Sequence, residues 1–121
     1  MAEDPQHRQL LEHAATARED QAVADQLQGA LETLIEKVPD DAVVVADLPQ
    51  CAAFRRLLYE LRQALAPLVA AADKGDPPPA GFDPARALAL IPQWQTLRTA
   101  FHRDYRKHKD YLEKLALRIY R

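Results

Sequence analysis

Residues and motifs that support catalysis, metal binding or secretion are scarce in this sequence. Its one cysteine, Cys51, excludes an internal disulfide and a metal site built from several thiolates. Only three glycines occur in 121 residues, and there is no Gly-rich phosphate loop and no HExxH or GxSxG motif. No apolar run approaches the roughly 18 residues of a membrane span, and the acidic N-terminal segment lacks the apolar core of a secretory signal. We therefore expect a non-enzymatic cytoplasmic protein with no cofactor, no metal site and no membrane contact.

What is abundant favours a single helical domain. Hydrophobic residues make up 48% and charged residues 28% of the chain, which is an ordinary globular composition. Nine prolines accompany the three glycines, and alanine, leucine, arginine and glutamine are frequent, a mix that favours helices interrupted by proline. We predict one all-α domain over residues 1–121, an elongated bundle of three long helices plus one short helix.

Apolar residues recur at steps of three and four over residues 10–38, which predicts a long first helix. Asp4 and Pro5 suit its start, as the N-cap and the first helical residue. Thr16 and Glu19 also match a capping box, which leaves open a break between two helices at that point. We favour one long helix.

The next segment contains a short valine run. Residues 43–45 resemble a strand, but no second β-rich run exists to pair with it. A connector or short helical turn is therefore favoured, and a strand shared across a dimer stays open. A second helix is predicted to begin at residues 47–49 (Asp-Leu-Pro) and to end at Lys74 and Gly75. Pro67 lies inside this helix and predicts a kink.

Cys51 lies close to that predicted helix start, which allows two interpretations. A thiol at a helix N-terminus can have a lowered pKa and be reactive. A buried structural thiol is the alternative that we favour.

The proline-rich residues 76–81 predict a stiff linker. Asp83 and Pro84 then suit the start of a short helix, and Pro92 begins or kinks the last helix, which runs to the end of the chain. Apolar and aromatic residues of the last helix follow steps of three and four, as in a coiled-coil seam. The members of this seam are Trp94, Leu97, Phe101, Tyr105, His108, Leu112, Leu115 and Ile119.

The net charge of -2 hides a strong asymmetry along the chain. Residues 1–50 carry 11 acids against 3 Lys and Arg, a balance of -8. Residues 51–97 carry 5 Lys and Arg and 4 acids, a balance of +1. Residues 98–121 carry 8 Lys and Arg and 3 acids, a balance of +5. A basic helix with interleaved tyrosines is typical of a surface that binds the backbone of RNA or single-stranded DNA.

The predicted nucleic-acid contacts come from the second and last helices. They are Arg55, Arg56, Arg62, Arg103, Arg106, Lys107, Lys109 and Lys114. An alternative is that the acidic first helix neutralises the basic last helix within the fold. Other protein subunits, or copies of this chain joined head to tail through opposite charges, are further candidate partners.

Arg103 and His108 resemble the Arg-x4-His motif of HEPN ribonucleases, which are small helical-bundle dimers. The resemblance implies a metal-independent ribonuclease in which His108 transfers protons and Arg103 holds the scissile phosphate. Five residues of α-helix, however, rotate two side chains about 140° apart. A seam histidine that hydrogen bonds to Asp104 one turn earlier is the alternative we favour.

A second resemblance covers more of the chain. The segment DLPQCAAFRRLLYELRQAL (47–65) resembles a helix of the small α-helical subunit of multi-subunit CRISPR effector complexes, and YLEKLALRIYR (111–121) is similar to the final helix of that subunit. The resemblance implies a non-catalytic subunit of antiviral defence that packs along the complex and holds guide and target backbones. The residues it assigns to that contact are Arg55, Arg56, Arg62, Arg106 and Lys109.

Overall fold

The computed structural model describes residues 5–119, apart from the side chains of residues 104–108 and 119. That part of the chain contains three α-helices and no β-strand: α1 (Pro5–Lys37), α2 (Ala42–Asp73) and α3 (Ala85–Ile119). The all-α prediction is therefore confirmed. Among these helices, none combines the length and the apolarity that crossing a membrane requires. The predicted N-cap Asp4 lies outside the described residues, as do Tyr120 and Arg121.

α1 is one uninterrupted helix of 33 residues, as favoured by its apolar period. The alternative break at the capping-box sequence is wrong. Thr16 donates its hydroxyl to the carbonyl oxygen of Glu12 at 3.2 Å, a bond within the helix rather than a cap. Ala17 is fully buried at the same level, so packing holds this segment helical.

α2 begins earlier than predicted, at Ala42 rather than at residues 47–49. Asp41 is the N-cap, and its carboxylate oxygen Oδ1 accepts hydrogen bonds from the backbone N–H groups of Val43 (3.0 Å) and Val44 (3.1 Å). Val44 is fully buried, so the valine run forms the first helical turn, and the strand alternative is wrong. Pro49 consequently lies inside the helix, where it removes a single backbone hydrogen bond.

The predicted end of α2 is confirmed. Lys74 is the C-cap, and Gly75 adopts a φ of 72°, which is costly for a residue with a Cβ. The backbone N–H groups of Gly75 and Asp76 close the end by donating to the carbonyl oxygens of Ala72 (3.0 Å) and Ala71 (2.9 Å).

The predicted short helix and last helix are continuous in α3, which passes through Pro92. Asp83 marks the start as predicted, since its Oδ1 accepts from the N–H of Ala85 at 2.9 Å. Pro92 cannot donate to the carbonyl of Leu88, but Leu88 is 43% exposed, so water can satisfy that group. The proline is therefore tolerated without ending the helix.

The helices alternate in direction, and their buried faces form two clusters. The first joins the N-terminal half of α1, the C-terminal half of α2 and the N-terminal part of α3 around Leu61 and Trp94. The second joins the opposite ends of the same helices around Leu31, Val44 and Leu112. Phe101 packs against both clusters, so α3 lies along the whole bundle.

One predicted seam residue of α3 lies outside the core. Leu97 is 39% exposed, whereas Arg98 reaches the buried side chain of Asp20. The face that α3 turns towards α1 is thus polar at this level. Tyr105, His108 and Ile119 of the predicted seam have side chains outside the described part of the chain.

Candidate nucleic-acid interface and the Asp20 cluster

A buried carboxylate on α1 is bound by three side chains of α3. Asp20 is only 3% exposed. Its Oδ2 accepts from Trp94 Nε1 at 3.2 Å and from Arg98 Nε at 2.7 Å, and its Oδ1 lies 3.3 Å from His102 Nε2. The three partners are spaced four residues apart, so they project from one face of α3 in successive turns.

This Asp20 cluster is suited to holding α1 and α3 together. The side chains of Arg98 and His102 are 39% and 43% exposed, while Trp94 is buried at 2%. The cluster therefore runs from the core to the surface, and its carboxylate is engaged on both oxygens. A carboxylate held in this way positions helices and neutralises a buried charge.

One feature of the sequence could have indicated this cluster: an acidic residue at an apolar position of the α1 period. Asp20 occupies a core position of α1, between the buried residues Ala17 and Ala24. An acid in an apolar stripe needs a partner, and Arg98 and His102 lie one and two turns after the largest aromatic of α3. Counting charges along the chain had assigned Arg98 only to the basic C-terminal segment, whereas the structure pairs it with Asp20.

Arg55 and Arg62 lie seven residues apart on one face of α2, and that face adjoins α1. Arg55 Nε lies 2.6 Å from Asp25 Oδ1, with the side chains 39% and 47% exposed. Arg62 donates to the amide oxygen of Gln21. The structure therefore does not bring these two arginines together with α3 into one basic track.

Arg56 lies on a different side of α2 and is 83% exposed. Its Nε is 3.8 Å from Glu60 one turn later, a surface pair of the kind that contributes little to stability. Arg56 is thus accessible but its charge is partly offset within its own helix.

The described cations in the C-terminal half of α3 are exposed. Lys109 is 55% exposed and lies 3.9 Å from Glu113 on the same helix. Arg103 and Lys114 are also exposed. The side chains of Arg106 and Lys107 lie outside the described residues. The predicted nucleic-acid contacts on α3 begin at Arg103. They therefore follow the segment of α3, residues 94–102, that contacts Asp20.

Tyr111, one of the tyrosines predicted to be interleaved with the basic residues, faces the fold. It is half-buried and donates its hydroxyl to Asp41 Oδ2, while the other oxygen of Asp41 caps α2. The hydrogen bond from Tyr111, aided by those from Val44 and Val43, lowers the pKa of Asp41. The same bond raises the pKa of Tyr111. One carboxylate therefore ties the start of α2 to the end of α3.

We expect Tyr111→Phe to lower the melting temperature at neutral pH, because the charged Asp41 then loses its phenol partner. Asp41 has a lowered folded pKa, so its contribution is present above the unfolded pKa and is lost as pH falls through the folded value. Tyr111 has a raised folded pKa, so the bond is kept below its unfolded pKa and lost as pH rises through the folded one. Thermal melts should show a difference between wild type and variant at pH 7 that narrows in acid. A difference independent of pH would contradict this account.

Cys51 is a buried structural thiol. Its Sγ donates to the carbonyl oxygen of Ala24 at 3.4 Å, and the residue is 2% exposed. Burial raises the pKa of the thiol to about 11. The reactive interpretation fails because α2 begins at Ala42, nine residues before Cys51, so the thiol lies far from the N-terminal end of the helix.

We expect the folded protein to react with iodoacetamide at pH 8 at least ~100-fold more slowly than the urea-unfolded protein, because the raised pKa reduces the thiolate fraction by about that factor. The sign for stability follows from the same shift. Because the folded pKa of Cys51 is raised, the stabilising contribution of the neutral thiol is fully present below its unfolded pKa. That contribution is lost as pH rises towards the folded pKa of about 11. Mass spectrometry of alkylated Cys51 measures the rates. Similar rates in both states would overturn this assignment.

The remaining chemistry of the described residues matches no common site. They hold no group of three or more His, Cys, Asp or Glu placed to bind a metal ion. α3 is helical throughout residues 103–108, so the backbone keeps Arg103 and His108 about 140° apart around the helix. Comparison with protein-family models, with curated proteins and with solved structures finds no match to this chain.

Proposed function

We propose that this chain is a non-enzymatic helical subunit of a larger cytoplasmic assembly, which contacts the backbone of RNA or single-stranded DNA through the C-terminal half of α3. The observation that carries this proposal is the separation of two basic sets. Arg55, Arg62 and Arg98 contact side chains of α1. The cations from residue 103 onward belong to a segment with a strongly positive balance whose described members are exposed.

Backbone contact without base reading fits the side chains on this surface. Lysine and arginine displace counterions from phosphates, which gives affinity without sequence preference. Tyr111 packs against the second core cluster and donates its hydroxyl to Asp41, so its ring is used within the fold rather than for stacking on bases. The resemblance to the small subunit of CRISPR effector complexes supports the same class of role, in an elongated bundle that lies along a nucleic acid.

Fluorescence anisotropy with labelled single-stranded RNA and DNA tests this function. If about five phosphates are contacted, affinity should fall about 100-fold between 50 and 200 mM salt. Sequences of different composition should bind similarly. Absence of binding at 50 mM salt, or binding that salt leaves unchanged, would overturn the proposal.

The same samples separate the two other functions that the sequence leaves open. A HEPN-like ribonuclease would cleave the RNA without added metal, and His108→Ala would remove the cleavage. A bundle that only binds protein partners would neither bind nor cleave the probes. Intact RNA with salt-sensitive binding is the result that the proposed function predicts.

A further inference from the structure

An open groove of about 1100 Å³ runs between α1 and α2. Its described lining comes from these two helices alone, over the N-terminal half of α1 and the C-terminal half of α2. It is therefore separate from the C-terminal half of α3, and an inference about it does not rest on the proposed function.

The walls of the groove are mainly apolar and are continuous with the core. Leu11 and Val69 are half-buried and pack against the first core cluster. Tyr59 also lines the groove and is 59% exposed. Ala66 and Ala70 lie on the same wall and are exposed. Side chains this small allow a neighbouring helix to approach to about 8 Å.

The charges on the rim are balanced. Arg18 and Arg62 contribute two positive charges and Glu19 and Asp73 two negative ones, all on exposed side chains. A partner with a strong net charge would find no oppositely charged surface on this rim. A surface with both positive and negative charges can pair with it.

The order of these charges along α2 is self-complementary. Asp73 lies at one end of the groove, and Arg62 lies 11 residues away, towards the other end. When a second copy is placed antiparallel across a two-fold axis, each Asp73 comes to within about one helical turn of Arg62 on the other copy. Ala66 lies close to the axis, where no charge separates the two surfaces.

We propose that a second copy of this chain docks in this groove, giving a two-fold dimer whose interface is a four-helix arrangement of α1 and α2 from each copy. Both copies use the same surface, so the assembly closes at two rather than growing head to tail. The packing buries Tyr59 and extends the first core cluster across the interface. α3 takes no part in it.

Two complementary variants test this pairing without knowledge of the detailed register. Arg18→Glu with Arg62→Glu gives an acidic rim, and Glu19→Lys with Asp73→Lys gives a basic rim. Sedimentation equilibrium should show a wild-type dimer, two monomeric variants, and a heterodimer in a one-to-one mixture of the variants. Arg8→Glu with Arg86→Glu, which changes the charge equally on exposed residues outside the groove, should stay dimeric.

A wild-type protein that is monomeric at 100 micromolar, or rim variants that stay dimeric, would overturn the proposal. So would a mixture of folded variants that fails to assemble. Circular dichroism checks that each variant is helical. If a rim variant fails to fold, Ala66→Glu provides a second test. Ala66 is exposed, so the variant should fold, and it places two like charges near the two-fold axis. Continued dimerisation of Ala66→Glu would refute the interface. The dimerisation results do not depend on nucleic-acid binding, because the groove lies away from the C-terminal half of α3.

Discussion

Replacing Asp20 with alanine should destabilise the protein by about 2–4 kcal/mol. The carboxylate is buried, accepts from Trp94 and Arg98, and lies 3.3 Å from His102 Nε2. Its removal leaves the buried Trp94 N–H without an acceptor and the Arg98 guanidinium without its counter-charge. The expected loss of stability is smaller than that for a fully buried ion pair. Arg98 and His102 are partly exposed, so water can replace some of their interactions with Asp20. Urea unfolding followed by circular dichroism measures the change.

Asp25→Ala is the matched control. Asp25 is also on α1 and also lies close to an arginine Nε, at 2.6 Å against 2.7 Å for Asp20, but its side chain is 47% exposed rather than 3%. An exposed pair contributes about 0–1 kcal/mol, so the control should lose far less stability. Equal losses in the two variants would mean that burial does not determine the strength of the Asp20 cluster.

Reversing three charges on α3, with Arg106→Glu, Lys107→Glu and Lys109→Glu, should abolish the binding of single-stranded RNA. The change replaces attraction to phosphates by repulsion at several adjacent positions, so a loss of at least ~100-fold is expected. Anisotropy at low salt, where wild-type binding is strongest, measures the loss.

The control for this variant reverses the same number of charges at the other end of the bundle. Arg8, Lys74 and Arg86 are exposed and lie near the start of α1, the end of α2 and the start of α3. Changing all three to glutamate alters the net charge equally, and binding should fall only by the general effect of that charge. If both triple variants lose binding to the same extent, the C-terminal half of α3 is not the contact surface.

Local sequence rules predicted much of this fold. The apolar positions predicted along α1 are buried from Leu10 to Leu34. Lys74 and Gly75 end α2, and Asp83 caps α3, as predicted. These features depend on interactions within one or two helical turns, so the sequence around them carries the information.

The features that sequence reasoning missed depend on contacts between distant segments. The burial of Val44 and the bond from Tyr111 to Asp41 move the start of α2 ahead of Pro49. The position of α1 beside α2, rather than α3, decides where Arg55 points. Asp20 gained its partners only when α1 and α3 packed together. Helical periodicity shows which residues share a face, and tertiary packing decides what that face meets.

The dependence of affinity on salt tests most directly that α3, rather than α2, contacts the phosphate backbone. Two alanine variants are compared with wild type: Lys107, Lys109 and Lys114 on α3, and Arg55, Arg56 and Arg62 on α2. Each lost phosphate contact on a single strand reduces the slope of log K against log salt by about 0.7. We expect a slope reduced by about 2 in the α3 variant and nearly unchanged in the α2 variant. A slope reduced in the α2 variant and retained in the α3 variant would contradict it.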